Sequence, residues 1–186
     1  MNRKTVGIFG GSFNPVHAGH LAVAGAAVER RLVDEVWFMP CRRNPLKDKD
    51  PEFSDKERFH LIEKALQEGL PEAVHISPAT LRKFKITDVD MRLPSPSFTY
   101  DSLRRLAEEN PDCSFRFIMG SDSYMDFNKW KNPDYIRRNF GLIVYPRPGY
   151  PLDAVEENCV LLDDVTLFDI SSTQIRNNTN LHLSTS

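Results

Sequence analysis

Thr5–His20 reads TVGIFGGSFNPVHAGH, and this stretch decides the fold. Residues 5–10 are a short apolar run that ends in glycine, which predicts a buried strand followed by a turn. From Ala18 to Arg31 the chain is rich in alanine and predicts a helix. A strand handing over to a helix through Gly10-Gly11 is the first unit of an open parallel sheet. In such sheets ligands sit at the carboxyl ends of the strands. The two glycines permit a tight turn and a close backbone approach, so amide N–H groups can face an anion. His17 and His20, three residues apart, share one face of the helix start, where imidazole donors and the helix dipole suit phosphate. Gly19 between them leaves room for a ligand or another backbone. The same His-x-x-His spacing could hold zinc, but no third ligand lies at the usual spacing. Neither a Walker loop nor a GxGxxG fingerprint occurs.

The alternation continues outward from this unit. A second strand is expected at Val33–Met39, closed by Pro40, and then a Pro- and Lys-rich loop to about Phe53. Ser54 with Glu57 forms a capping-box pattern for a helix running to about Glu68. A weak third strand is read at Val74–Ser77, a helix at Thr99–Glu109, and strands at Ser114–Met119, Phe140–Tyr145 and Cys159–Leu162. Strands alternating with helices imply an α/β, Rossmann-like, doubly wound fold, with a mostly parallel sheet covered by helices on both faces. At 186 residues the chain suits one core. We expect a single domain over residues 1–178 and a polar, disordered tail over 179–186.

A net charge of -2 gives no reason to expect general nucleic-acid binding, and Arg82-Lys83-Lys85 and similar clusters read as solvated faces. Cys41, Cys113 and Cys159 are odd in number and without metal-type spacing, as expected of free thiols in a reducing cytosol. With no apolar run long enough to span a bilayer and no secretory h-region after Met1, a cytoplasmic location and no membrane partner are expected.

Near the other end, Ile170–Arg176 reads ISSTQIR. Its hydroxyls and free N–H groups at a helix start, with Arg176 three residues after Thr173, again suit a phosphate chain. Together, GGSFNPVHAGH and ISSTQIR resemble the GGxFxPxHxGH and ISSTxIR signatures of the HxGH nucleotidyltransferases. VDMRLPSPSFTYDSL, FIMGSDSYMDFNKW and PRPGY are similar to further segments of one branch, bacterial nicotinate-nucleotide adenylyltransferase. The resemblance covers roughly residues 5–177.

It implies transfer of an adenylyl group from ATP to nicotinate mononucleotide, with Mg²⁺ accompanying the nucleotide. ATP would lie over Gly10, Gly11, Ser12 and Phe13, with His17 and His20 on its phosphates and Ser172, Thr173 and Arg176 on the other side. Gly120 and Asp122 would hold the adenosine end. Thr99, Trp130 and the loop around Lys47 would form the mononucleotide pocket. His17, His20, Lys47 and Arg176 would supply stabilising charge to an in-line displacement. Two departures stand out. The loop after the second strand reads PCRRNPLK where the family commonly has PNxxPPHK, so Cys41 and Leu46 replace two polar residues, and Arg42 and Arg43 could compensate. After Arg176 only NNTNLHLSTS follows, where relatives usually continue into a further helical segment. Another phosphate acceptor, nicotinamide mononucleotide or phosphopantetheine, and a nucleotide-binding module without turnover remain alternatives.

Overall fold

The structure is a computed structural model, and it describes residues 3–42, 52–69, 76–163 and 165. Chain order is β1 (Lys4–Gly11), α1 (Ala18–Glu29), β2 (Glu35–Pro40), α2 (Asp55–Glu68), α3 (Pro78–Leu81), β3 (Phe84–Ile86), α4 (Val89–Arg92), α5 (Thr99–Glu109), β4 (Cys113–Gly120), α6 (Ser121–Met125), a single 3₁₀ turn (Phe127–Lys129), α7 (Pro133–Asn139), β5 (Leu142–Tyr145) and β6 (Cys159–Leu161). The strands form one six-stranded sheet in the order β3-β2-β1-β4-β5-β6. Every neighbouring pair is parallel. This is the doubly wound arrangement expected from the alternating pattern. Its direction of winding reverses between β1 and β4, where a ligand crevice opens.

Period-two alternation sorts the sheet residues onto two cores. Phe9, Val36, Phe38, Ile118 and Ile143 pack with Leu21, Val28 and Ile62 from α1 and α2. Val6, Ile8, Phe115, Phe117 and Val144 pack on the opposite face with Leu103, Leu106 and Ile136 from α5 and α7. Gly7 faces the first core, where a Cβ would sit 2.8 Å from Ile118 Cδ1, so the strands close up there only because the position lacks a side chain.

The third strand differs from expectation. Of the expected Val74–Ser77, Val74 and His75 lie outside the described residues, and Ile76 and Ser77 are not in a strand; Ser77 instead caps α3 by accepting from the Thr80 N–H at 3.1 Å. The strand is Phe84–Ile86, inside the basic stretch read as a solvated face. It is an edge strand, and edges tolerate lysine. Phe84 is buried, while Lys85 is exposed and reaches Glu35 at 2.9 Å. Glu35 also receives Lys4 at 2.8 Å, and these hydrogen bonds hold its carboxyl down near pH 2 although burial opposes them.

Candidate active site at the β1–β4 crevice

Three strand ends converge on the crevice: Gly10-Gly11 of β1, Gly120 of β4 and Tyr145 of β5. The glycines are there because neighbours occupy the space a side chain would need. At Gly10 a Cβ would lie 2.6 Å from the Phe117 ring, and at Gly11 3.2 Å from the ring of Phe13. Phe13 adopts a left-handed φ of 42°, which turns the loop and drops its ring into the core against Phe9, Phe38 and His20. The whole residue is 1% exposed, so Phe13 serves as packing beneath the crevice.

His17 and His20 are brought together as the spacing predicts. Their ring centroids lie 3.7 Å apart, with the planes tilted by 32°. The His17 backbone N–H donates to His20 Nδ1 at 3.1 Å, so His20 takes the place of the usual capping-box acid at the helix start. That bond selects a tautomer: with Nδ1 accepting, the neutral ring carries its proton on Nε2. The space left at Gly19 is filled by His17, whose Cε1 and Nδ1 would both lie 3.1 Å from a Cβ there. The His17 ring is buried, and its Nδ1 has no hydrogen-bond partner.

The histidines differ from the sequence reading in charge. Burial, and secondarily the Arg147 guanidinium, lower the His17 pKa to about 4. His20 is pushed well below the usual imidazole value by burial first, then by His17 and Arg147. At neutral pH both are uncharged donors, so they supply oriented dipoles and not the positive charge expected of them.

Arg147 is the cation that sequence reasoning left without a role. Its backbone N–H donates to the fully buried Ser121 Oγ at 2.8 Å, and its guanidinium lies 3.9 Å from Asp122. Its stem runs over Gly120, where a Cβ would meet Arg147 Cγ at 2.9 Å and Asp122 Oδ1 at 2.4 Å. Gly120 is therefore the floor on which Arg147 and Asp122 lie. The signal was present in PRPGY, which follows a parallel strand directly. Beneath it Tyr145 packs edge-on against Phe9 at 5.7 Å, and burial raises its pKa to about 12, so it stays a neutral hydroxyl.

On the acceptor side, Thr99 is the first residue of α5 rather than its cap, which is Phe98. The Trp130 indole packs edge-on to Phe117 at 5.9 Å and against Phe127 at 5.4 Å, with a buried Nε1 lacking a partner. Lys131 joins the two segments. Its Nζ binds both Asp101 oxygens at 2.9 and 2.8 Å and lies over the Phe98 and Tyr100 rings on either side of Thr99.

Arg42 is engaged within the protein. It donates to the carbonyls of Met91 and Leu93 and lies 3.6 Å from Asp55, while its backbone N–H binds Asp90 at 3.0 Å. Asp90 is buried and also accepts from Ser97 and Ser102, each at 2.8 Å. Arg43, Lys47, Ser172, Thr173 and Arg176 lie outside the described residues. Among the described residues no group of three His, Cys, Asp or Glu side chains could hold a metal ion, and no helix is long and apolar enough to cross a membrane.

A sheet-switch crevice with glycine strand ends, paired neutral histidines at a helix start and one facing arginine defines a nucleotide-handling α/β protein. A family model described as cytidylyltransferase-like matches residues 8–178. A relative named as a probable nicotinate-nucleotide adenylyltransferase from Bacteroides fragilis is 39% identical over 177 residues, covering 95% of this chain and 82% of its own. Its counterpart from Bacteroides thetaiotaomicron is 38% identical, covering 94% and 81%. The chain belongs to the nicotinate-nucleotide adenylyltransferase family. A solved Plasmodium falciparum nicotinic acid mononucleotide adenylyltransferase complexed with NaAD has the same fold, with a TM-score of 0.74 at 23% identity over 94% of this chain and 83% of that one.

Proposed function

We propose that this protein transfers the adenylyl group of ATP to nicotinate mononucleotide, giving nicotinate adenine dinucleotide and pyrophosphate as a step in NAD synthesis. The observation that carries the reading is the His17–His20 pair at the β1–β4 crevice, with Arg147 facing it. The substrate's 5′-phosphate is already an anionic nucleophile, so the α-phosphorus can be attacked in line without a general base. What the chain supplies is alignment and a preorganised field. Neutral Nε2–H of His20 is aimed by the bond at its Nδ1 and donates to a phosphate oxygen. Arg147 brings the positive charge, held in place by Ser121 and Asp122.

Lys47, Ser172, Thr173 and Arg176 are assigned to the phosphates by the motif match alone, and Arg43 to the acceptor as compensation where the loop departs from the motif. Trp130 offers a stacking face for the pyridine ring, and the free N–H groups at the start of α5, beside Thr99, suit its carboxylate. A Mg²⁺ ion accompanying ATP would neutralise charge developing on the phosphates, and Asp122 is the carboxylate nearest to Arg147 that would face it. Asp122, already close to Arg147, is a single carboxylate, which fits an ion delivered with the nucleotide better than a resident one. Arg42, expected to compensate for the polar residues replaced by Cys41 and Leu46, directs its donors instead to the Met91 and Leu93 carbonyls and holds the end of α4.

The test is pyrophosphate release from ATP and Mg²⁺ with nicotinate mononucleotide, nicotinamide mononucleotide or phosphopantetheine. Preference for the first is expected, in line with the relatives' names. Preference for another acceptor keeps the chemistry and replaces the substrate; ATP binding with no release from any of them rejects the transfer.

A further inference from the structure

Arg58 in α2 is fully buried, yet it is a charged residue in the apolar stripe it forms with Ile62 and Ala65. Burying a guanidinium costs several kcal/mol unless its donors are well used, and an apolar side chain would fill the same stripe without that cost. Nε is buried without a partner, and the two terminal nitrogens are directed to backbone past two strand ends and to one carboxylate. Nη1 donates to the Ser12 carbonyl at 2.6 Å and to the Cys41 carbonyl at 2.8 Å, and Nη2 donates to Asp55 at 2.6 Å. Ser12 precedes the turned Phe13 in the loop that carries Gly10 through His17. Cys41 is the first residue past β2, where the chain enters the segment that carries Arg43 and Lys47. A second tie runs parallel, since the Phe53 N–H donates to Asn14 Oδ1 at 3.0 Å. Asp55 meanwhile faces Arg42 as well as Arg58.

We infer that Arg58 is a positioning residue for the transfer reaction: its Nη1, shared by the Ser12 and Cys41 carbonyls and held in plane by the Nη2–Asp55 bond, sets the spacing between the nucleotide loop after β1 and the start of the acceptor loop after β2, without touching either ligand. The inference rests on the proposed adenylyl transfer. Arginine gives one nitrogen to the two carbonyls and a second, fixed in the same plane, to the carboxylate; a lysine keeps the charge but must divide one nitrogen on a flexible stem among all three. Loss of the fork lets the two loops drift, and a displacement of about 1 Å is enough to cost about a hundredfold in an aligned displacement.

The experiment compares wild type, Arg58→Lys and Asp55→Asn in pyrophosphate release with ATP and nicotinate mononucleotide. Each is assayed well below its own Tm and normalised to folded protein by circular dichroism. For Arg58→Lys, kcat per folded molecule is expected to fall by about tenfold or more, with KM for either substrate changing less. Asp55→Asn, which keeps Nη1 on both carbonyls, should lose less. Turnover per folded molecule within about twofold of wild type in Arg58→Lys, with only Tm lowered, overturns the positioning role. Should that variant fail to fold, Arg58→Gln, whose single amide nitrogen cannot serve both carbonyls and Asp55, is assayed in its place, and turnover per folded molecule within about twofold of wild type overturns the role. A folded wild type that binds ATP but turns over no acceptor removes the adenylyl-transfer reading itself, and this proposal with it.

Discussion

His20 shows how one residue's partners set its chemistry. The His17 N–H occupies Nδ1, the Phe9 and Phe13 edges hold the ring, and only Nε2 is left to donate. An Asn side chain places an acceptor near the Nδ1 position but nothing at Nε2. His20→Asn should therefore fold with its helix start intact while kcat falls by about a hundredfold, the usual cost of losing an oriented donor. Stability against pH gives a second readout. Both histidines have folded pKa values below the unfolded value of 6.5, His17 at about 4. Between those limits the unfolded chain binds more protons, so wild-type stability must drop as pH falls from 6.5 toward 4. His20→Asn removes one of the two groups and should flatten that drop in acid denaturation curves. An unchanged slope would mean His20 is not held neutral by the fold. The paired spacing of these residues was legible in the sequence, but their neutrality was not, because it depends on burial and on Arg147, 127 residues beyond His20 in the chain. Arg58 was partly legible: an arginine at i, with Ile62 at i+4 and Ala65 at i+7, sits on a core face.

Among the elements, the long ones were readable because several signals agreed. α2 begins where Ser54 and Glu57 complete their reciprocal cap, at 3.3 Å for the Glu57 N–H and 2.8 Å for the Ser54 N–H. α5 spans Thr99–Glu109 as the pattern predicts. The short elements α3, α4, α6 and α7 carry too few residues for a period, and β3, with three residues, borrows its identity from pairing with β2. The start of α1 is a case where local propensity and site geometry oppose each other. Gly19→Ala should favour the helix by up to about 1 kcal/mol on propensity alone. The added Cβ would press on the His17 ring at 3.1 Å, tighter than ordinary contact, so the ring must move by a few tenths of an ångström. We expect Gly19→Ala to keep or raise Tm while lowering kcat by about tenfold, since alignment is what the element provides. Full activity with a raised Tm would show that the ring can shift without consequence.

At the scale of the molecule, the strand order puts the two halves of the site on opposite sides of one crevice. β1 carries the histidines on α1, and β4 and β5 carry Gly120, Asp122 and Arg147. That order was legible only as a class, since alternating strands and helices imply a parallel sheet without saying which strands are neighbours. Arg147 could not be placed opposite His17 until β1 and β4 were known to pair. A ligand that spans the crevice binds the folded state alone and must stabilise it. With a non-hydrolysable ATP analogue and Mg²⁺ at about 100 times Kd, the gain is about 2.7 kcal/mol. For a chain of this size, at about 2–4 °C per kcal/mol, that is a rise in Tm of about 5–10 °C. Arg147→Met keeps the stem over Gly120 and removes the charge. If the guanidinium meets a phosphate, losing a charge-assisted hydrogen bond of at least about 1.5 kcal/mol should cut the rise by half or more at the same analogue concentration. Scanning calorimetry of both proteins with and without the analogue measures this directly. Equal shifts would mean that Arg147 tunes the histidines from a distance without contacting the nucleotide, whereas a shift lost in the variant makes it the phosphate ligand on the β4–β5 side.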